Sequence, residues 1–226
     1  MRVRGPRAAV ALVDVLRADI LRCLLAPASR LVLDELKVRY GFGASPLREA
    51  LMQLVAEGLV DFENNKGFRV RPLALGHFHD ISRVRIELDA VAVKWALENG
   101  SVAWEIDLVG AFHRLASLKK SSQSTMEREW SLAHRAFHNS LVSGGGSETL
   151  LRLTTSVFDH IERYIALAVS LEGTMRDAVE EHEYIMAAAL DRNVALTLEL
   201  LKGHHLRTVA TVTRFLLVPQ EAIRHT

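Results

Sequence analysis

Apolar residues recur along this chain at two periods, and the change from one to the other divides it. From Ala8 to Leu25, Val13, Leu16, Ile20 and Leu24 fall on one helical face, and the pattern stops near Ala26-Pro27. A short second helix is predicted from Leu33 to Tyr40, ending at Gly41, a residue that takes the left-handed conformation of a helix end without strain. A third opens at Ser45-Pro46, with the serine as expected cap and the proline in the first turn, and presents Leu47, Ala50, Leu51 and Leu54 as its buried face before closing at Gly58. The period then drops to two: Leu59 to Glu63 and Phe68 to Arg71 alternate as short strands around the turn Asn64-Asn65-Lys66-Gly67.

After Pro72 the period is helical again, with helices predicted near 77–99, 101–119, 126–143, 147–171, 174–191 and 194–217. Breaks fall at Asn99-Gly100, the Ser-rich Lys119 to Thr125, Gly144-Gly145-Gly146, Gly173 and Asn193. The expected fold is mainly α, with a winged helix-turn-helix unit in residues 1–72 and a six-helix bundle in residues 73–226.

Charge and histidine follow the same division. The net charge is only +1, but residues 1–72 carry 12 Lys/Arg against 8 Asp/Glu and the rest carries 16 against 19, which suits a nucleic-acid contact confined to one end. All ten histidines lie beyond Pro72, so metal or proton chemistry is expected in the bundle. The lone cysteine, Cys23, is expected to pack in the core, and its solitude suits a reducing cytoplasm. No stretch reaches the ~18 uncharged apolar residues of a membrane span, and the N-terminus does not read as a signal peptide.

Side chains near the start of an inserted helix reach base edges, which nominates Ser45 and Arg48 on the third helix, while Lys66 and Arg69 of the hairpin would meet phosphate or minor groove. In the bundle, His134 and His138 stand four residues apart on one helical face, a spacing that chelates a metal ion. His182 and the pair His204-His205 lie on later helices, so four imidazoles converging there would favour zinc, nickel or a similar ion.

GFGASPLREAL, EGLV and NKGFRV, in register over residues 10–71, closely resemble the DNA-binding domain of the GntR regulators, and double-stranded operator DNA is the partner this implies. The resemblance adds Gly43, Ala44 and the wing's Gly67 to the DNA-facing positions. Gly43-Ala44-Ser45 stands where Ser-Arg-Thr is common, so an arginine and a hydroxyl cap are absent and the operator is expected to differ from the commonest one. Residues 77–217 are similar to the FCD effector-binding domain of the FadR subfamily. Its motifs appear as Arg83-Val-Arg-Ile-Glu87, His134-Arg-Ala-Phe-His138, Glu181-His182-Glu-Tyr-Ile185 and His204-His205-Leu206.

This second resemblance implies a divalent metal on His134, His138, His182 and His204, with His205 an alternative to His204. It also implies that Arg83 helps hold a small carboxylate effector, with a competing reading of Arg83 as an exposed helical partner of Glu87. A homodimer is implied as well. His134 occupies the usual aspartate position, which leaves the metal complex one unit more positive. An enzyme would need a base beside the histidines, for which Glu181 and Glu183 are candidates. A passive DNA-compacting protein would show no effector response. His77, His79, His113, His160 and His225 are expected to be surface or structural residues.

Overall fold

The computed structural model describes residues 6–118, 125–172 and 178–217. The helices are α1 (Pro6–Leu21), α2 (Leu33–Tyr40), α3 (Ala44–Ala56), α4 (Leu75–Asn99), α5 (Val102–Ser117), α6 (Thr125–Ser143), α7 (Glu148–Glu172), α8 (Val179–Leu190) and α9 (Val194–Leu217). Three strands, β1 (Arg30–Leu31), β2 (Val60–Glu63) and β3 (Gly67–Val70), form an antiparallel sheet in the order β1-β3-β2. The mainly helical fold with an N-terminal wing and six helices beyond it agrees with the sequence pattern.

Two compact units divide the chain: Met1–Phe78 with Asp159–Gly173, and His79–Phe158 with Thr174–Thr226. The first unit is therefore not contiguous in sequence, whereas the expected division placed everything after Pro72 together. Its additional residues are held by polar contacts to backbone. His160 Nε2 lies 3.0 Å from the Glu57 carbonyl, Arg163 donates to the Arg71 carbonyl, and the Tyr164 hydroxyl meets Ala74 and, at 2.9 Å, His77 Nδ1.

The core of the first unit packs Leu12, Leu16 and Ile20 of α1 against Leu36 of α2, Leu47, Leu51 and Leu54 of α3, and Phe68 and Val70 of β3. The α1 face stops earlier than its periodicity suggests. The helix ends at Leu21, Cys23 takes a left-handed φ of 57°, and Leu24 is 56% exposed. Cys23 is half-buried, its Sγ 3.6 Å from the Arg163 carbonyl. Gly41, at φ 72°, closes α2 by donating to the Lys37 carbonyl, as expected.

The start of α3 differs from the sequence reading. Gly43 is the N-cap, the helix begins at Ala44, and Ser45 makes no cap bond because its hydroxyl is 3.1 Å from Glu49 Oε1 within the helix. Pro46 still lies in the first turn, where its missing N–H costs no helical hydrogen bond. In the hairpin, Val60 to Glu63 pair with Val70 to Gly67, and Asn65 and Gly67 supply the positive φ values of the turn.

The second unit is built on Ala92 and Val93 of α4, Leu108 and Leu115 of α5, Phe137 and Leu141 of α6, and Ile185 of α8. The expected beginning of α8 near 174 falls outside the described residues. No helix among the described residues is long and apolar enough to cross a membrane.

Candidate functional site

Helical spacing turns His134 and His138 of α6 to the same side, and α8 and α9 bring His182 and His204 to meet them. One ring nitrogen from each lies within 4.8 Å of the others, and all four residues are buried. His134 Nε2 and His138 Nε2 are 3.1 Å apart, close to the ~3.4 Å edge expected of four nitrogens held ~2.1 Å from a common centre. Phe137 stands 4.9 Å from His182, Phe158 stands 5.7 Å from His138, and Trp130 stacks on His134 at 4.6 Å.

His204 joins the cluster, and His205 does not. Nδ1 of His204 faces Glu181 Oε2 at 2.9 Å, which fixes that nitrogen as the donor and leaves Nε2 with a lone pair for a metal. The other Glu181 oxygen accepts from Arg207 Nε at 2.8 Å. His205 Nε2 instead meets Asp89 Oδ2 at 2.9 Å, the same oxygen that accepts from Arg85 Nε at 3.2 Å. Burial would raise the Asp89 pKa, but the His205 hydrogen bond and the Arg85 charge prevail and lower it.

Arg85, not Arg83, is the arginine beside this centre. Arg83 is exposed on α4, whereas Arg85 is 4% exposed, lies 4.5 Å from the Phe158 ring centroid, and has a buried Nη2 with no hydrogen-bond partner among the described residues. Two positions along a helix are ~200° around it, so only one of this pair can face inward.

The donor set fits a divalent transition metal. Four imidazoles suit zinc or nickel, and ligation requires them neutral. Burial holds His134 and His138 well below their usual pKa of 6.5, assisted by positive charge from His182, His204 and Arg85 around both and from His134 beside His138. It brings His204 down to about 4 despite the Glu181 hydrogen bond.

These depressed values set a pH dependence. Below 6.5 the unfolded chain takes up protons that the folded one refuses, so the stability conferred by neutral buried histidines is complete above 6.5 and is lost as pH falls toward 4. Between about pH 6.5 and 5, His204 alone accounts for a loss of about 2 kcal/mol, since one pKa unit is ~1.4 kcal/mol. The urea midpoint of metal-stripped protein should therefore fall between about pH 7.5 and about pH 5.

On the first unit, Ala44, Ser45 and Arg48 are exposed at the start of α3, and Lys66 and Arg69 are exposed on the wing. Lys66 Nζ pairs with Glu63 at 2.5 Å. Arg69 stands in register between Arg30 of β1 and Asp61 of β2. A groove of about 410 Å³ lies between α3 and the wing, lined by Arg30, Arg48 and Lys66 and by Val32, Met52 and Phe62. Sequence reasoning missed Arg30, because a two-residue strand has no period to detect.

A winged helix-turn-helix with exposed cations on α3 and wing, followed by a helical bundle with a buried histidine centre, defines a class of bacterial regulator. The chain belongs to the gntR family of bacterial regulatory proteins: residues 8–70 match that family and residues 80–207 match the FCD domain. It is thus a DNA-binding transcription regulator, not an enzyme. Of the two carboxylates considered as bases, Glu181 is engaged by His204 and Arg207, and Glu183 is exposed.

Among its relatives is the HTH-type transcriptional repressor GlaR of Escherichia coli (strain K12), 36% identical over 203 residues that cover 87% of this chain and 92% of that one. The uncharacterized HTH-type transcriptional regulator BphR of Paraburkholderia xenovorans (strain LB400) is 34% identical over 203 residues, covering 88% and 83%. The solved structure of E. coli McbR/YncC shares the fold with a TM-score of 0.80 at 19% identity, over 92% of this chain and 98% of that one.

Proposed function

We propose that this chain is a cytoplasmic, homodimeric repressor of the FadR type whose operator affinity is set by a small carboxylate bound beside a divalent transition metal, zinc or nickel. The cluster of His134, His138, His182 and His204 next to the unpaired Arg85 Nη2 carries this reading. Four neutral ligands leave a divalent ion with its full charge, and the buried guanidinium adds a donor shaped for a carboxylate. Glu181 and Asp89 hold His204 and Arg85 in orientation. Arg85 takes the role that the family resemblance suggested for Arg83.

Repression is favoured by the likeness to GlaR, a relative named as a repressor. Two winged helices related by a two-fold axis would read half-sites about 34 Å apart, one helical turn of DNA. Gly43, Ala44, Ser45, Arg48, Lys66, Gly67 and Arg69 form the reading surface, with Arg30 added from β1.

A gel shift on the DNA upstream of the protein's own gene, repeated with metal-loaded protein and a panel of small carboxylic acids, tests the reading. At least one acid should weaken the shift tenfold or more, roughly the scale of allosteric coupling. Binding to that DNA with no acid having any effect, on protein shown to hold metal, would refute the sensing role.

A further inference from the structure

The wing carries a carboxylate among its cations. In the β2–β3 register Val60 pairs with Val70 and Phe62 with Phe68, and Val60, Phe68 and Val70 are buried, so Asp61 and Glu63 lie on the outer side of the sheet. Arg69 shares that side, opposite Asp61 on one flank and Arg30 of β1 on the other. Asp61 is engaged by Arg71 Nη2 at 2.9 Å. Glu63 Oε2 pairs with Lys66 Nζ at 2.5 Å across the turn, and Arg30 Nη2 donates to the Lys66 carbonyl at 3.2 Å. Glu63 is therefore seated among Arg30, Lys66 and Arg69, three of the cations proposed to meet DNA.

The Lys66 hydrogen bond holds the Glu63 carboxyl below the usual carboxylate range, so it is anionic at neutral pH. Both partners are exposed, and a pair so exposed contributes little to stability. Once Lys66 turns to a phosphate, Glu63 faces the polyanion alone, and the cost depends on sequence. A·T tracts narrow the minor groove and deepen its negative potential, which draws in Lys and Arg and repels a carboxylate. Base edges of A·T pairs offer only acceptors there, whereas G·C adds the guanine amino donor, from which a carboxylate can accept. Repulsion and hydrogen bonding point the same way.

We propose that Glu63 is a specificity-determining residue that turns the wing away from narrow, A·T-rich minor grooves and toward G·C-containing ones. Lys66 and Arg69 alone would favour the narrow groove, and Glu63 opposes them. Arg48 lies on α3, so Glu63 acts on the sequence under the wing and not on the sequence under that helix. The inference rests on the wing belonging to the DNA-reading surface proposed above, and names what the wing selects.

Parallel titrations of the full chain test it. Duplexes bound by wild type are selected from a random pool and mapped by hydroxyl-radical footprinting, and the positions where Lys66→Ala or Arg69→Ala loses protection mark the wing. Those positions are then made all A·T or all G·C. Wild type should bind the G·C duplex at least as tightly as the A·T one. Glu63→Gln removes the charge and keeps the shape. It should gain about threefold per wing on the A·T duplex, roughly the repulsion of two unit charges ~7 Å apart in water, or about tenfold for two wings, and so prefer that duplex. Glu63→Asp keeps the charge and should keep the wild-type preference. Wild type preferring A·T, Glu63→Gln showing no change of preference, or Glu63→Asp shifting as far as Glu63→Gln overturns the role of the carboxylate while the wing remains a DNA contact. If Lys66→Ala and Arg69→Ala lose neither protection nor affinity, the wing does not touch DNA, and that part of the reading surface falls together with the inference.

Discussion

Arg48→Ala protein is expected to lose its specific operator shift while unfolding at the wild-type temperature. The side chain is exposed and its neighbours Leu47, Ala50 and Leu51 are fully buried, so α3 stays docked when the guanidinium is removed. The loss should be about 1–3 kcal/mol per contact if Arg48 pairs with a base edge, and a dimer makes that contact twice. Few other groups at the helix start can compensate. Gly43 and Ala44 have no polar side chain, and the Ser45 hydroxyl is occupied by Glu49. Lys66→Ala is the informative contrast: it should weaken binding to all sequences alike and flatten the salt dependence by about one charge per protomer. Titrations at several salt concentrations on operator and random DNA separate the two. Unchanged operator affinity in the Arg48 variant would sink its assignment as the base-reading residue.

What the sequence made legible follows from which signals are periodic. Helices α3 to α9 announce themselves because 12 or more residues repeat one apolar face. The wing is visible through Asn64 to Gly67, whose composition suits a hairpin turn. Strand β1 is not, since Arg30 and Leu31 join the sheet only through pairing with Arg69 and Phe68, distant in sequence. Capping failed at Ser45 for a related reason: a cap is set by where the chain turns, and the turn is taken by Gly43, one residue outside Ala44.

The histidine centre shows the same limit at finer scale. One histidine pair at helical spacing and further histidines on two later helices suggested the cluster, but choosing between His204 and His205 required knowing the rotation of α9, since adjacent positions differ by ~100°. In the structure Glu181 and Asp89 take one histidine each, and only His204 stands with the other three. Arg83 and Arg85 present the same ambiguity on α4, and there the family resemblance pointed to the exposed one. Ligand families can be read from spacing, whereas the identity of the inward member of a close pair comes from packing.

The second large effect is expected at the proposed metal centre. His138→Ala should abolish stoichiometric binding of nickel or zinc, because His138 sits 3.1 Å from His134 and the three remaining imidazoles would enclose an apolar gap bordered by Phe137 and Phe158. An ion that binds only the folded state stabilises it by about 4 kcal/mol at a thousandfold excess over Kd, or roughly 8–16 °C for a domain of 150–250 residues. That thermal shift should vanish in the variant. Trp130, stacked on His134, supplies an independent signal, since its fluorescence should respond to metal in wild type and not in His138→Ala. His134→Asp separates the ion from the effector: the carboxylate can still ligate, so metal remains, but it cancels one positive charge and should weaken carboxylate binding about tenfold or more. If wild-type protein takes up neither ion by elemental analysis and titration, the four imidazoles are a structural cluster and the sensing role proposed for them falls. Should His134→Asp retain metal and bind the acid as tightly as wild type, the ion's charge is not what recruits the effector, and Arg85 alone would have to hold it.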